Sequence, residues 1–195
     1  MSTFASPWHQ RFSLEALPRE AWKNAGGWTR PIASRLEHGN LRWRVSVADV
    51  SKAGPFSQFE GVDRTAVMVQ GDHLRLSCHT HEWIFDGPGS VAKFPGELAI
   101  DCDTPSSPAR LWNVMVARKH ARATVQVLKT DDVAVPKAPD VLVLVLRGSY
   151  EMEAEPHDAY PPLAAGDGLH LKNFEINILL RKLQKESLLL ITQLW

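Results

Sequence analysis

Between Trp22 and Arg30 the chain reads Trp-Lys-Asn-Ala-Gly-Gly-Trp-Thr-Arg. Nine residues therefore carry an ammonium, a carboxamide, two adjacent glycines, a hydroxyl and a guanidinium. Gly26 and Gly27 let the backbone take φ > 0 or pass close to another group. Lys23, Asn24 and Arg30 can then converge on one point, which is how a loop binds a small anion. No Asp or Glu occurs between Glu20 and Glu37, so nothing nearby in sequence neutralises the two cations. Buried cations without a carboxylate are costly, and a bound anion is a natural counter-charge. The competing reading is a glycine turn with surface charges, Arg30 reaching solvent or a distant acid such as Asp63.

His79-Thr80-His81-Glu82 is the second place where residue types suggest chemistry. Two His at alternate strand positions face the same way and could share a metal. Glu82, next in line, would face away, and His120 and His157 lie near turns. An exposed polar hairpin end is the preferred reading, because partial motifs are weak. No Gly-x-Ser-x-Gly, P-loop or dinucleotide glycine fingerprint occurs. Ser46 lies on a strand with a polar even-numbered face, from which it could donate into a cavity. Asn113 sits among apolar strand residues, where a buried amide needs a partner, protein or ligand. Gly54 to Arg64 carries Phe56 and Phe59. It reads as a connector whose aromatics plug the core, in preference to a lid.

The elements that must hold these groups have a period of two. Trp43, Val45 and Val47 alternate with Arg42, Arg44, Ser46 and Ala48, the mark of a strand with unlike faces. Short β-type runs recur along the chain, among them Thr65–Val69, Leu74–Ser77, Leu111–Val116, Val141–Leu146 and Leu188–Leu194. Gly and Pro clusters separate them, which predicts a barrel or sandwich. A helix is expected, if anywhere, near Ser13–Trp22. A faint repeat is present: Ala66 to Gly71 precedes His73 to Ser77, as Val143 to Gly148 precedes Tyr150 to Glu153. Each half then has a second glycine turn, at Gly96 and at Gly166 to Gly168, and a strand with one Asn, Asn113 and Asn177. The order predicts two copies of one β unit, residues 1–130 and 131–195, with a linker at Asp131–Asp140. Such paired strand-glycine-strand turns resemble cupin barrels.

The 195 residues can bury a sizeable core. Lys plus Arg and Asp plus Glu number 22 each, a balance that lacks the footprint of a general nucleic-acid binder. No segment approaches the roughly 20 apolar residues of a membrane-spanning helix. The first twelve residues lack a signal-peptide core. Cys78 and Cys102 form no Cys-x-x-Cys motif and are expected to be reduced. A cytoplasmic protein is expected.

Taken together, five blocks resemble the HutD/Ves family of bacterial proteins. They are Trp22 to Gly27 with Thr29-Arg30; Trp43 to Ala48; Gly54 to Ser57 with Gly61 to Arg64; Phe85 to Gly87; and Trp112 to Met115 with Arg118. They run in order over residues 22–118. The chain departs from the family at Ala25, where a third glycine is usual, at Trp112, where Phe is usual, and at Leu111, often an acid. The resemblance implies an all-β bicupin, two cupin-like β-barrels (jelly rolls) packed as a single domain, without an established enzymatic activity. It implies links to histidine utilisation in some members and to stress responses in others. The family does not keep the His-x-His pair. A small acidic intermediate such as urocanate or formylglutamate is the ligand it suggests.

The expectation is therefore a small-carboxylate-binding protein, a regulator or metabolite sink, with ligand residues Lys23, Asn24, Arg30, Ser46, Asn113 and Arg118. Lys23 and Arg30 would meet the carboxylate, Arg as a bidentate fork. No catalytic residue, cofactor, nucleic acid or membrane is expected, and a homodimer is left open. A metal-dependent cupin oxygenase or isomerase using His79 and His81 is the alternative.

Overall fold

A computed structural model describes residues 8–22, 27–105, 107–154 and 160–195. It is all-β, with nineteen strands and no helix among the described residues. The chain divides into two compact units. One is residues 17–123. The other joins residues 1–16 to residues 124–195.

In the 17–123 unit a six-stranded antiparallel sheet runs in the order Glu20–Ala21, Gly27–Glu37, Asn40–Val50, Ala109–Ala117, Val62–Gln70, Val91–Pro95. A four-stranded sheet runs Gly54–Pro55, Asp101–Cys102, Leu74–Ser77, Glu82–Phe85. One core joins them: Ala48, Met68, Phe94 and Leu111 from the larger sheet, Leu74, Leu76 and Phe85 from the smaller. The alternation seen in sequence sorts each strand into an inner and an outer face.

The other unit has a five-stranded sheet, His9–Ser13, Asp167–Lys172, Asp140–Arg147, Leu188–Leu194, Ala123–Leu128, and a four-stranded one, Val133–Ala134, Ile178–Lys182, Ser149–Ala154, Leu163–Ala164. Val141, Val143, Leu169 and Leu189 pack there on Tyr150, Met152 and Leu180. The repeat has a structural counterpart. In each unit the chain leaves the larger sheet for the smaller through a glycine with positive φ, Gly71 at 115° and Gly148 at 74°. Only glycine takes those values at little cost. Each unit is thus an open two-sheet jelly roll, its sheets not closed into a continuous barrel.

Two expectations differ from what is observed. The segment Ser13–Trp22 forms no helix. Ser13 ends a strand, a turn closes with Ala16 N donating to Ser13 O at 3.1 Å, and Pro18 follows. The division at residue 130 also shifts, because His9–Ser13 and Ala123–Leu128 are edge strands of the sheet built from the C-terminal half. Phe12 lies opposite Gly168, where a side chain would collide with its ring.

Candidate functional site

Three cross-strand rows line the inner face of the six-stranded sheet. Thr29, Ala48, Leu111 and Met68 form the first, and Pro31, Ser46, Asn113, Ala66 and Ala92 the second. Arg44, Met115, Arg64 and Phe94 form the third. The polar groups cluster in the last two rows, where they adjoin Ala66, Ala92 and Phe94 of the apolar core. There Trp22, Thr29, Arg44, Ala48, Phe56, Ser57, Phe59, Arg64 and Asn113 line a partly open cavity of about 100 Å³.

Arg64 is the central group. Its side chain is 7% exposed. The guanidinium donates to Asn113 Oδ1 from Nε and Nη2, both at the long distance of 3.4 Å, and from Nη1 to the Ser57 carbonyl at 3.2 Å. Its carbon lies 5.5, 5.6 and 5.1 Å from the ring centroids of Phe56, Phe59 and Phe94, close enough for cation–π attraction. Arg44 lies beside it. Its Nη2 meets Met115 Sδ at 3.2 Å, its carbon is 5.7 Å from the Phe59 ring, and its Nε is buried without a hydrogen-bond partner. Neither arginine pairs with a carboxylate among the described residues. Burial first, and the charge of Arg44 second, push the Arg64 pKa down to about 10. At neutral pH Arg64 is still a cation.

Trp22 forms one wall. Its Nε1 donates to Thr29 Oγ1 at 2.8 Å and its ring meets Phe56 edge-on at 5.9 Å. Gly27 permits this approach, since a Cβ there would collide with the Asp49 carbonyl and press on the Trp22 ring. The close-approach role expected for that glycine is therefore present. A larger open groove of about 500 Å³ lies on the outer face of the same sheet and is lined in part by Lys93, Arg118 and Arg122. Its Arg118 is already matched by two carboxylates, whereas Arg64 in the smaller cavity has none among the described residues.

The HutD family model matches residues 14–190, nearly the whole chain. The chain belongs to the HutD family. An uncharacterised 21.2 kDa protein encoded in the hutC 3′ region of Pseudomonas putida is 33% identical over 126 residues, 60% of this chain. The chain spans 63% of that relative's length. Protein Ves of Cronobacter sakazakii is 26% identical over 145 residues, 72% of this chain and 78% of that one. Among solved structures, HutD from Pseudomonas fluorescens SBW25 superposes with a TM-score of 0.78 at 22% identity, covering 96% of this chain and 99% of its own. A cupin 2 conserved barrel domain protein from Leptotrichia buccalis superposes at 0.66 with 10% identity, covering 95% and 96%. The fold is thus that of HutD and, more distantly, of cupins.

Of the residues singled out on the HutD/Ves motifs, Lys23 and Asn24 lie outside the described residues. Ser46 and Asn113 face each other across adjacent strands on the inner face. Arg30 does not join them. Residues 27–30 are strand, not loop, so Thr29 faces inward and Arg30, one residue on, faces outward. The premise that Arg30 lacks an acid is corrected. Its Nε lies 3.0 Å from Asp49 Oδ2, its Nη1 donates to the Leu17 carbonyl at 3.4 Å, and the side chain is 1% exposed. Arg118 likewise lies on the outer side, with Nε 2.7 Å from Asp63 Oδ1 and Nη1 2.8 Å from Glu97 Oε1. Arg44 and Arg64 take the position foreseen for Lys23 and Arg30, and were missed. The signal was present: Arg44 shares the even-numbered strand face of Ser46, and Arg64 stands two residues before Ala66.

His79 and His81 are not alternate residues of a strand. They occupy the tight turn between Leu74–Ser77 and Glu82–Phe85, where Cys78 N donates to His81 O at 2.9 Å. Both are exposed. The His81 Nδ1 lies 2.8 Å from Thr80 Oγ1, and its ring stacks on Trp83 at 6.0 Å.

Proposed function

We propose that this chain is a metabolite-binding HutD-family protein. It holds a small carboxylate between the two sheets of the 17–123 unit and acts without catalysis, as a regulator or metabolite sink. The observation that supports this is the buried Arg64 with the half-buried Arg44 beside it, neither with a carboxylate partner among the described residues. Two like charges in a poorly solvated space destabilise each other, and an anion between them relieves that cost. A carboxylate is planar and accepts a guanidinium fork in two parallel bonds. Asn113, whose oxygen receives Arg64, keeps two amide hydrogens to donate. Phe56, Phe59 and Trp22 offer apolar surface to the remainder of the ligand.

Urocanate and formylglutamate are the candidate ligands. The relative's position beside hutC and the name of the solved P. fluorescens homologue favour a role in histidine utilisation, and a cytoplasmic site suits such a metabolite. Titration calorimetry with formate, urocanate and formylglutamate tests the reading. At least one acid is expected to bind more tightly than millimolar, and Arg64→Met is expected to abolish that binding. If no acid binds more tightly than millimolar, or if Arg64→Met binds as well as the parent, the reading fails.

A further inference from the structure

Residues 54–61 run from the Gly54–Pro55 strand to the strand that begins at Val62, across the mouth of the arginine cavity. Gly54 and Pro55 are fixed by strand pairing with Cys102 and Asp101, and residues 56–61 are held by single hydrogen bonds. Phe56 N donates to Ile100 O and Phe59 N to Gly96 O, both at 2.8 Å, and Gln58 Nε2 donates to the Glu97 carbonyl at 3.0 Å. Ser57, Gln58, Glu60 and Gly61 are exposed on its outer side. On its inner side Phe56 and Phe59 cover Arg64, and the Ser57 carbonyl occupies Arg64 Nη1.

We infer that residues 56–61 are a lid that lifts as a unit to admit the anion, held down by Arg118 and the Gly96–Glu97 turn. This inference rests on the carboxylate reading above for its purpose and on the geometry for its mechanics. Three observations carry it. First, the cavity beneath it, partly open to solvent and about 100 Å³, is well below the roughly 300–1,000 Å³ of ordinary small-molecule sites. A carboxylate head fits, and a ligand with a substantial remainder needs the two rings to move aside. Second, the lid ends on a glycine in a conformation that favours glycine, Gly61 at φ 68°, and Gly54 at φ 154° lies just before the lid, ahead of the paired Pro55. No atom lies within 4 Å of where a side chain would stand at either, so the backbone there has room to turn. Third, the closed position has a latch. Arg118 N donates to Gly61 O at 2.9 Å and its Nη2 to Val62 O at 3.3 Å. Its guanidinium spans Asp63 at the foot of the lid and Glu97 in the turn that receives Phe59 and Gln58. Gly96 lets the lid lie that close, because a Cβ there would stand 2.6 Å from the Phe59 carbonyl. Arg118 is thereby a positioning residue of the site, without lining its cavity.

Hydrogen exchange of the unliganded, full-length protein tests this without depending on any ligand. The Phe56 and Phe59 amides are expected to exchange together, at least tenfold faster than the amides of the Ala109–Ala117 strand. Glu97→Gln, which breaks the outer ion pair and keeps the backbone acceptor, is expected to speed both by about two- to fivefold. The strand amides should not change. Exchange of the two lid amides only at the rate of the strand, or unequal responses to Glu97→Gln, would overturn the lid. Adding 10 mM urocanate separates the two ideas. Slower exchange at both lid amides supports site and lid together. A lid that opens but ignores every acid leaves the lid standing and removes the carboxylate reading.

Discussion

Two arginines of one sheet, both buried, should respond very differently to the same substitution. Arg64→Met removes a charge that burial and Arg44 already disfavour. Its pKa, pushed down from the ordinary arginine range to about 10, corresponds to about 3 kcal/mol of cost at 1.36 kcal/mol per pH unit. Against this stand three cation–π contacts, worth about 2 kcal/mol together in a partly desolvated setting, and three hydrogen bonds at 3.2–3.4 Å. Methionine fills similar volume and keeps favourable aromatic contacts. With these long hydrogen bonds counted, Arg64→Met should be close to neutral, within roughly 1 kcal/mol. Arg30→Met strips Asp49 of its most buried partner, with Arg110 at 3.2 Å and Arg19 at 3.6 Å left to compensate. Breaking a buried pair by removing one partner costs about 3 kcal/mol or more, and the two remaining arginines bring the expected loss to about 2–3 kcal/mol. Urea denaturation of both variants is the assay. On a thermal scale the loss for Arg30→Met is a fall of about 4–12 °C for a chain of this size. If Arg64→Met loses as much stability as Arg30→Met, then Arg64 is a structural cation and the argument for an absent counter-ion is refuted.

Gly27→Ala should destabilise by about 1–3 kcal/mol, because its Cβ meets the Asp49 carbonyl and the Trp22 ring, and urea denaturation reads the loss. The Arg118 guanidinium, through its hydrogen bonds first, holds the Glu97 carboxyl down at about 2 instead of its ordinary 4.5. The folded-state pKa is the lower one, so the stabilisation is full above 4.5, falls between 4.5 and 2, and is gone below 2. Carbon-detected titration of the Glu97 carboxyl should show a midpoint well under 3, rising towards 4.5 in Arg118→Gln.

Much of the fold was legible because its information is local. The alternation in Leu41–Asp49 foretells the Asn40–Val50 strand, and Gly71 and Gly148 mark the same crossing in both halves. Period two says which residues share a face, but not which of the two faces is the interior. Arg44 and Arg30 look alike as sequence, and only the register of Gly27–Glu37 against Asn40–Val50 turns one inward and the other onto Asp49. Reading residues 27–30 as loop concealed that register. The pairing of His9–Ser13 with the C-terminal sheet depends on contacts more than 150 residues apart, which no local pattern encodes. The ion pairs of Arg118 with Asp63 and Glu97 are hidden from sequence for the same reason.

The central claim, that a carboxylate sits on Arg64, is tested most directly by arginine side-chain ¹⁵N NMR. Nε signals of the parent and of Arg64→Met are followed as formylglutamate and urocanate are added. The account predicts saturable shifts of the Arg64 and Arg44 Nε–H signals with one common dissociation constant, while Arg30 and Arg118 stay in place. Shifts confined to Arg118 or Arg30, or no saturable shift with either acid, would contradict it.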